Sequence, residues 1–291
     1  MIQILADSTC DLSKELLERY NIGIIPLHVY LDDEEYLDGL DITPDKIYEW
    51  SDGCGATPKT SAPSIEDVEN IYKQYLDDRN IEGFIVFTIS SSMSASYNVC
   101  RLAAEAVHIA DRVVVIDSAN LSTGIGHLVI EAAELAAAGR SMKEIEAEIL
   151  KLRPLVRSSF MVDTLIYLHR GGRCSGLAAM LGSVLKLHPR IVVKDGAMSS
   201  DKKYRGTLEN VILNYTGDLM PELAKAKPDR VFITHSGCPE EIVEEVKKMV
   251  TDTGRFGEVL VTHAGCVISS HCGPGTLGVL YIEGTGTQGT T

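Results

Sequence analysis

Alternation of short apolar runs with helical patterns predicts an α/β protein of two domains, the first built on a mainly parallel sheet flanked by helices. Two further observations point the same way. A chain of 291 residues exceeds the usual size of one domain. Candidate strands also end in small hydroxyl-bearing residues, at the strand ends where open α/β sheets bind their ligands.

The predicted strands of the first half are Ile2 to Ala6, Ile24 to Leu31, Gly83 to Ile89 and Arg112 to Ile116. Between and after them, helical spacing covers Ser13 to Tyr20, Ile65 to Asp78, Ser94 to Ile109 and Thr123 to Ala138. The acidic stretch Asp32 to Asp38 is predicted as a solvated hairpin or loop without chemistry. A second unit begins near Ser158, which divides the chain into residues 1–158 and 159–291 with a groove between them. Its strands are Ile191 to Val193, Arg230 to Thr234, Val259 to Ala264 and Val279 to Ile282, with a helix at Pro239 to Thr251. The closing Gly284 to Thr291 is Gly/Thr-rich and predicted to fray.

Composition narrows the function. Hydrophobic content of 45% and charged content of 23% belong to an ordinary globular protein. A formal charge of -14 opposes binding to nucleic acid or to anionic membrane surfaces. No apolar run reaches the roughly 18 residues that span a bilayer, so stable membrane insertion is not expected. The N-terminus lacks the basic and apolar regions of a signal peptide, which predicts a soluble cytoplasmic protein. The 7 cysteines are scattered without a C-x-x-C pair, as in reduced thiols rather than a zinc site or a disulfide framework.

Thr60-Ser61-Ala62-Pro63-Ser64 sets hydroxyls just ahead of a helix start, with Ser64 as cap and Asp67 three residues on. Ser90-Ser91-Ser92-Met93-Ser94-Ala95-Ser96 forms a second hydroxyl-rich turn leading into a helix. Helix N-termini present unpaired N–H groups and partial positive charge, so hydroxyls there can help cradle a carboxylate or phosphate, although they also serve as ordinary caps. His271-Cys272-Gly273-Pro274-Gly275 reads as a tight turn offering an imidazole and free backbone N–H groups; an ordinary structural hydrogen bond is its other reading. With Thr60, Ser61 and Ser94 it would complete a site for one carboxylate. Both G-x-G-x-x-G matches, at Gly273 and Gly284, fail to open a helix, and no NTPase, zincin or hydrolase-elbow signature is present. No cofactor or metal is therefore expected.

The chain resembles the DegV family, the fatty-acid-binding subunits of bacterial fatty acid kinase systems. The resemblance rests on Asp7-Ser8-Thr9-Cys10-Asp11-Leu12, Pro26-Leu27-x-Val29, Thr60-Ser61-x-Pro63-Ser64, Ser90-Ser91-x-Met93-Ser94-Ala95-Ser96-Tyr97, Asp117-Ser118, Leu168-x-x-Gly171-Gly172-Arg173-x-Ser175 and His271-x-Gly273-Pro274-Gly275, in that order. It implies two α/β domains with one long-chain fatty acid, such as palmitate, stearate or oleate, held between them. It further implies that Thr60, Ser61 and Ser94 hydrogen-bond the carboxylate, with His271 and the Gly273 backbone on the far side. Arg173 would stand near the headgroup or meet a partner. That partner is a separate kinase catalytic subunit that phosphorylates the bound carboxyl group, so this chain would be a carrier and not an enzyme.

The chain departs from the family pattern at Ala95, Ser96 and Cys174, and at Leu187-His188-Pro189-Arg190. The basic cluster Lys202, Lys203 and Arg205 is a candidate docking site for the kinase, or else a solvated turn. A rival of another class is a serine esterase or acyl-transfer enzyme, with Ser94 or Ser61 as nucleophile and His271 as base. A binder of some other anionic metabolite is the third reading.

Overall fold

A computed structural model describes residues 1–78, 80–172 and 187–284 of the chain. In its first half the strands are β1 (Ile2–Asp7), β2 (Ile22–Ile25), β3 (His28–Leu31), β4 (Glu34–Leu37), β5 (Lys59–Ser61), β6 (Gly83–Thr88) and β7 (Val113–Asp117). Helices α1 (Lys14–Arg19), α2 (Pro44–Cys54), α3 (Ile65–Leu76), α4 (Ser96–Ala106), α5 (Thr123–Ala137) and α6 (Met142–Leu152) accompany them. In the second half come β8 (Val156–Met161), α7 (Ile166–Gly171), β9 (Leu187–Lys194), β10 (Ala197–Arg205), α8 (Leu208–Leu223), β11 (Ala226–Ser236), α9 (Glu240–Thr251), β12 (Glu258–His263), α10 (Cys266–Cys272) and β13 (Thr276–Glu283).

Strands β2, β1, β6 and β7 pair in that order as a parallel sheet. Its central strand β6, Gly-Phe-Ile-Val-Phe-Thr, is buried at every position, as a parallel strand covered on both faces must be. Strands β10, β9, β8, β13, β11 and β12 form a second sheet, antiparallel except between β11 and β12. The boundary expected at residue 158 falls inside β8. A small third sheet has the order β4-β3-β5.

Helix α5 lies between the parallel sheet and the second sheet. Thr123 through Ala133 are all buried, because the sequence is apolar around the whole helix. One continuous core joins Ile4, Ile85 and Phe87 of the parallel sheet to Leu128 and Ile130 of α5 and to Phe160, Phe232 and Leu280 of the second sheet. The polar side chains of α5 find partners on that second sheet. His127 Nε2 lies 3.0 Å from the Leu280 carbonyl, and burial pushes this imidazole down to about 3, so it is neutral. Glu131 pairs with Lys227 at 2.7 Å and Arg230 at 2.8 Å.

Two expectations need correction here. The stretch Ile24 to Leu31 is not one strand: the chain leaves the parallel sheet after Ile25 and joins the small sheet at His28. Pro26 between them has no N–H to give a ladder, and the Leu27 N–H donates to Ser8 Oγ instead, at 3.1 Å. The basic cluster Lys202, Lys203 and Arg205 lies not in a turn but on β10, an edge strand of the second sheet. Helices α2, α6 and α8 and strand β10 carry no element in the sequence-based prediction. Arg173, Cys174 and the tail from residue 285 lie outside the described residues.

If α5 is the shared core, truncating it must cost far more than truncating an exposed helix position. Leu128→Ala should lose about 2–5 kcal/mol in urea unfolding, whereas Leu150→Ala, at a position 42% exposed, should lose well under that. Equal, small losses would contradict the packing described.

Candidate functional site

Thr60 and Ser61 are set by β5, whose pairing with β3 places Val29 opposite Thr60 and His28 opposite Ser61. The register holds because Ser64 and Asp67 close a capping box at the start of α3, fixing the chain as it leaves β5. Ser94 lies in the turn between β6 and α4; its Oγ is 2.8 Å from Ser96 Oγ and accepts the Ser96 N–H at 3.3 Å. His271 sits in the last turn of α10, not in a loop.

These residues line one pocket. Its apolar walls include Leu27, Ile89, Met93, Leu121, Phe160, Leu168, Met198, Ile268 and Leu280. Counting its mouth and the open solvent there, the empty space is about 840 Å³. Gly278 of β13 belongs to the wall, and a Cβ there would stand 2.9 Å from the Ser159 carbonyl oxygen, so glycine is what lets the strands approach. Thr60 Oγ1 lies 2.8 Å from His271 Nε2. This contact bridges 211 positions of sequence and brings β5 against α10 on the pocket wall.

The turn after His271 does not present the free backbone N–H groups expected of it. The Gly273 N–H closes α10 by donating to Ser269 O at 2.9 Å, and the Gly275 N–H donates to Gly237 O at 3.1 Å, so the turn offers neither as a free donor. Gly273 adopts φ +75°, and a Cβ would fall 2.4 Å from Tyr167 Cδ2. Its role is to let the chain turn tightly under that ring. Among the described residues, the pairing of Ser61 or Ser94 with His271 that an esterase would use is likewise not assembled. Ser61 Oγ donates to the Ala62 carbonyl at 3.1 Å, Ser94 Oγ pairs with Ser96, and the hydroxyl facing the imidazole is that of Thr60.

Sequence reasoning missed the acidic group beneath the site. Asp7, Asp11 and Asp38 are buried, and among the described residues no cation is bonded to any of them. Asp11 accepts the Gly265 N–H at 2.8 Å and the Ser122 hydroxyl at 2.5 Å. Asp38 accepts the Cys266 N–H at 2.6 Å and the Ser8 hydroxyl at 2.8 Å. Two carboxylates thus hold the start of the helix that carries His271, where its amides and dipole offer positive charge. Asp7 accepts the Ile89 N–H at 2.8 Å and the Thr9 hydroxyl. Burial raises the pKa of all of them, Asp7 to about 6 and Asp11 well above the ordinary range, with the neighbouring Asp38 adding to both shifts. Asp38 belongs to the stretch expected to be solvated; it is only 2% exposed.

Among the described residues no group of side chains could hold a metal, and no helix is long and apolar enough to cross a membrane.

Comparison with known proteins matches this arrangement over nearly all of the chain. A family model described as an uncharacterised protein of the DegV family covers residues 1–284. This chain belongs to the DegV family. A DegV domain-containing protein of Clostridium perfringens is 32% identical over 284 residues, covering 97% of this chain and 98% of its own. A DegV family protein from Thermus thermophilus, whose structure is described in terms of fatty acid binding, superimposes with a TM-score of 0.88 at 32% identity, covering 97% and 99% of the two chains. A stearic acid-binding protein from Eubacterium ventriosum gives a TM-score of 0.83 at 29% identity, covering 97% and 98%. The mixed α/β fold with a parallel sheet and a second sheet is that of these DegV structures.

The buried carboxylates predict a measurable pH response. Asp7 is raised from 3.8 to about 6 in the folded protein, so between those values the folded state holds more protons than the unfolded one. Its contribution therefore favours the fold at acid pH and is lost as pH rises through 6, by roughly 3 kcal/mol in all. Asp7→Asn should be stabilised relative to wild type progressively from pH 4 to pH 7 in denaturant titrations; a difference independent of pH would contradict the assignment.

Proposed function

We propose that this chain binds one long-chain fatty acid, such as palmitate, stearate or oleate, and acts as its carrier. The acyl chain would lie between the unit of residues 1–158 and that of residues 159–291, with the join running along β8. The observation that carries the reading is the Thr60–His271 contact at 2.8 Å in the wall of a pocket where a set of hydroxyl and imidazole side chains faces Leu, Ile, Met and Phe side chains. The fatty-acid and stearic acid binding described for the Thermus and Eubacterium relatives supports it.

The energetics suit such a ligand. Burying about 15 methylenes at roughly 0.8 kcal/mol each supplies on the order of 12 kcal/mol before association costs, so the apolar walls give the affinity. The headgroup residues Thr60, Ser61, Ser94 and His271 then fix its direction. Hydroxyls suit a carboxylate, which only accepts hydrogen bonds, and being uncharged they can release it. Gly273 would serve by shaping the turn after His271.

We further propose that a separate fatty acid kinase catalytic subunit phosphorylates the bound carboxyl group, this chain presenting the substrate without catalysing transfer. That step rests on the family resemblance. Arg173 would steady the acyl phosphate or meet the kinase. Of the basic cluster, Lys202 is committed to Asp218 at 2.5 Å. Lys203 and Arg205 are exposed on the edge strand and would contact the partner.

Thr60→Val, Ser61→Ala, Ser94→Ala and His271→Ala should each fold as wild type and bind a fluorescent fatty acid about fivefold to a hundredfold more weakly, the loss of one headgroup hydrogen bond. Wild-type affinity in all of them would place the headgroup elsewhere.

A further inference from the structure

Two hydroxyls of the serine-rich turn do not line the pocket but reach across to the second sheet. Ser90 Oγ and Ser92 Oγ both donate to a single acceptor, the Gly196 carbonyl, the first at 2.7 Å. Gly196 is the tip of the β9–β10 hairpin, where Asp195 and Gly196 both take positive φ, 50° and 79°, as a tight two-residue turn requires. A Cβ on Gly196 would stand 2.7 Å from Ser90 Oγ, so the tip seats directly on the serine. The hairpin belongs to the second sheet and the serine turn follows β6 of the parallel sheet. The clasp therefore joins the two sheets beside the pocket.

Both of its halves carry pocket wall. Met198, two residues past the tip, lines the pocket from the hairpin side; Ile89, Met93 and Ser94 line it from the turn. Ser90 organises that turn. Its carbonyl accepts the Met93 N–H at 2.8 Å and the Ser94 N–H at 3.2 Å, and its own N–H donates to Asn120 O at 2.9 Å. The turn is thus anchored on the parallel-sheet side, and its Ser90 and Ser92 hydroxyls donate to the hairpin tip. Ser92 is exposed, so water can replace its hydrogen bond, whereas Ser90 is buried and its bond to Gly196 is the inner half of the clasp.

We propose that Ser90 and Ser92 are positioning residues: by gripping the Gly196 carbonyl they hold Ser94 and Met198 on one closed wall and set the rate at which the acyl ligand leaves. The inference rests on the fatty-acid reading above. Neither serine touches the ligand in this account, so their effect falls on dissociation rather than on headgroup recognition.

The test is the release of cis-parinarate, a fluorescent fatty acid, into excess albumin, together with amide hydrogen exchange of Asp195 to Ser200 in the ligand-free protein. Ser92→Ala and the Ser90→Ala/Ser92→Ala double variant should release the probe about tenfold faster or more, with unchanged circular dichroism and faster exchange in the hairpin tip. Ser92→Thr, which keeps the hydroxyl at an exposed position, should restore the wild-type rate. Wild-type release and wild-type hairpin exchange in the alanine variants would overturn the clasp while leaving the carrier reading intact. A wild-type protein that takes up no parinarate would overturn the carrier reading, and with it the clasp as a device for acyl exchange.

Discussion

The pocket depends on how the first turn of helix α10 is held. Asp11 and Asp38 take the amides of Gly265 and Cys266, and they also take the hydroxyls of Ser122 and Ser8. Four chain segments meet there: the turn after β1, the end of the β3–β4 hairpin, the start of α5 and the start of α10. Burying two carboxylates without a cation is unfavourable. The helix amides and dipole and the serine hydroxyls offset that loss. In return the short helix has a fixed direction, and its last turn brings His271 Nε2 to Thr60 on β5. A closely packed Gly171, where a Cβ would stand 2.2 Å from His271 Nδ1, confines the ring from the other side.

Much of the fold is legible in the sequence because local and global preferences agree. The run Gly83 to Thr88 is apolar at nearly every position and becomes a strand buried on both faces. Ser64 and Asp67 announce a capping box and form one. The all-round apolar character of Thr123 to Ala137 marks the helix packed between two sheets. Local signals fail where tertiary partners decide. Pro26 looks like a blemish in one strand, yet it is the point at which the chain changes sheets. Asp38 sits at the end of an acidic, solvated-looking stretch, and nothing nearby in sequence reveals that Ser8 and Cys266 bury it. Strand β10 is polar at most positions because it lies at a sheet edge, so it carries no hydrophobic alternation to detect.

The site divides in the same way. Thr60, Ser61, Ser94 and His271 stand out as residue types, and the structure gathers them around one pocket. What residue type cannot reveal is how each donor is already employed. The Gly273 N–H is spent on its own helix, and Ser90 and Ser92 are spent on a hairpin more than a hundred residues away. A pocket that sets hydroxyl and imidazole groups among apolar side chains suits a ligand with one small anionic end and a large hydrocarbon remainder. Neutral hydroxyls give direction to such a ligand without locking it in place.

The most direct measurement of the central claim is native mass spectrometry of freshly purified protein, followed by denaturation and lipid analysis of whatever mass is released. The account predicts one long-chain fatty acid per chain, in near-stoichiometric amount. A clean unliganded mass, together with failure to take up added palmitate, stearate or oleate, would contradict it.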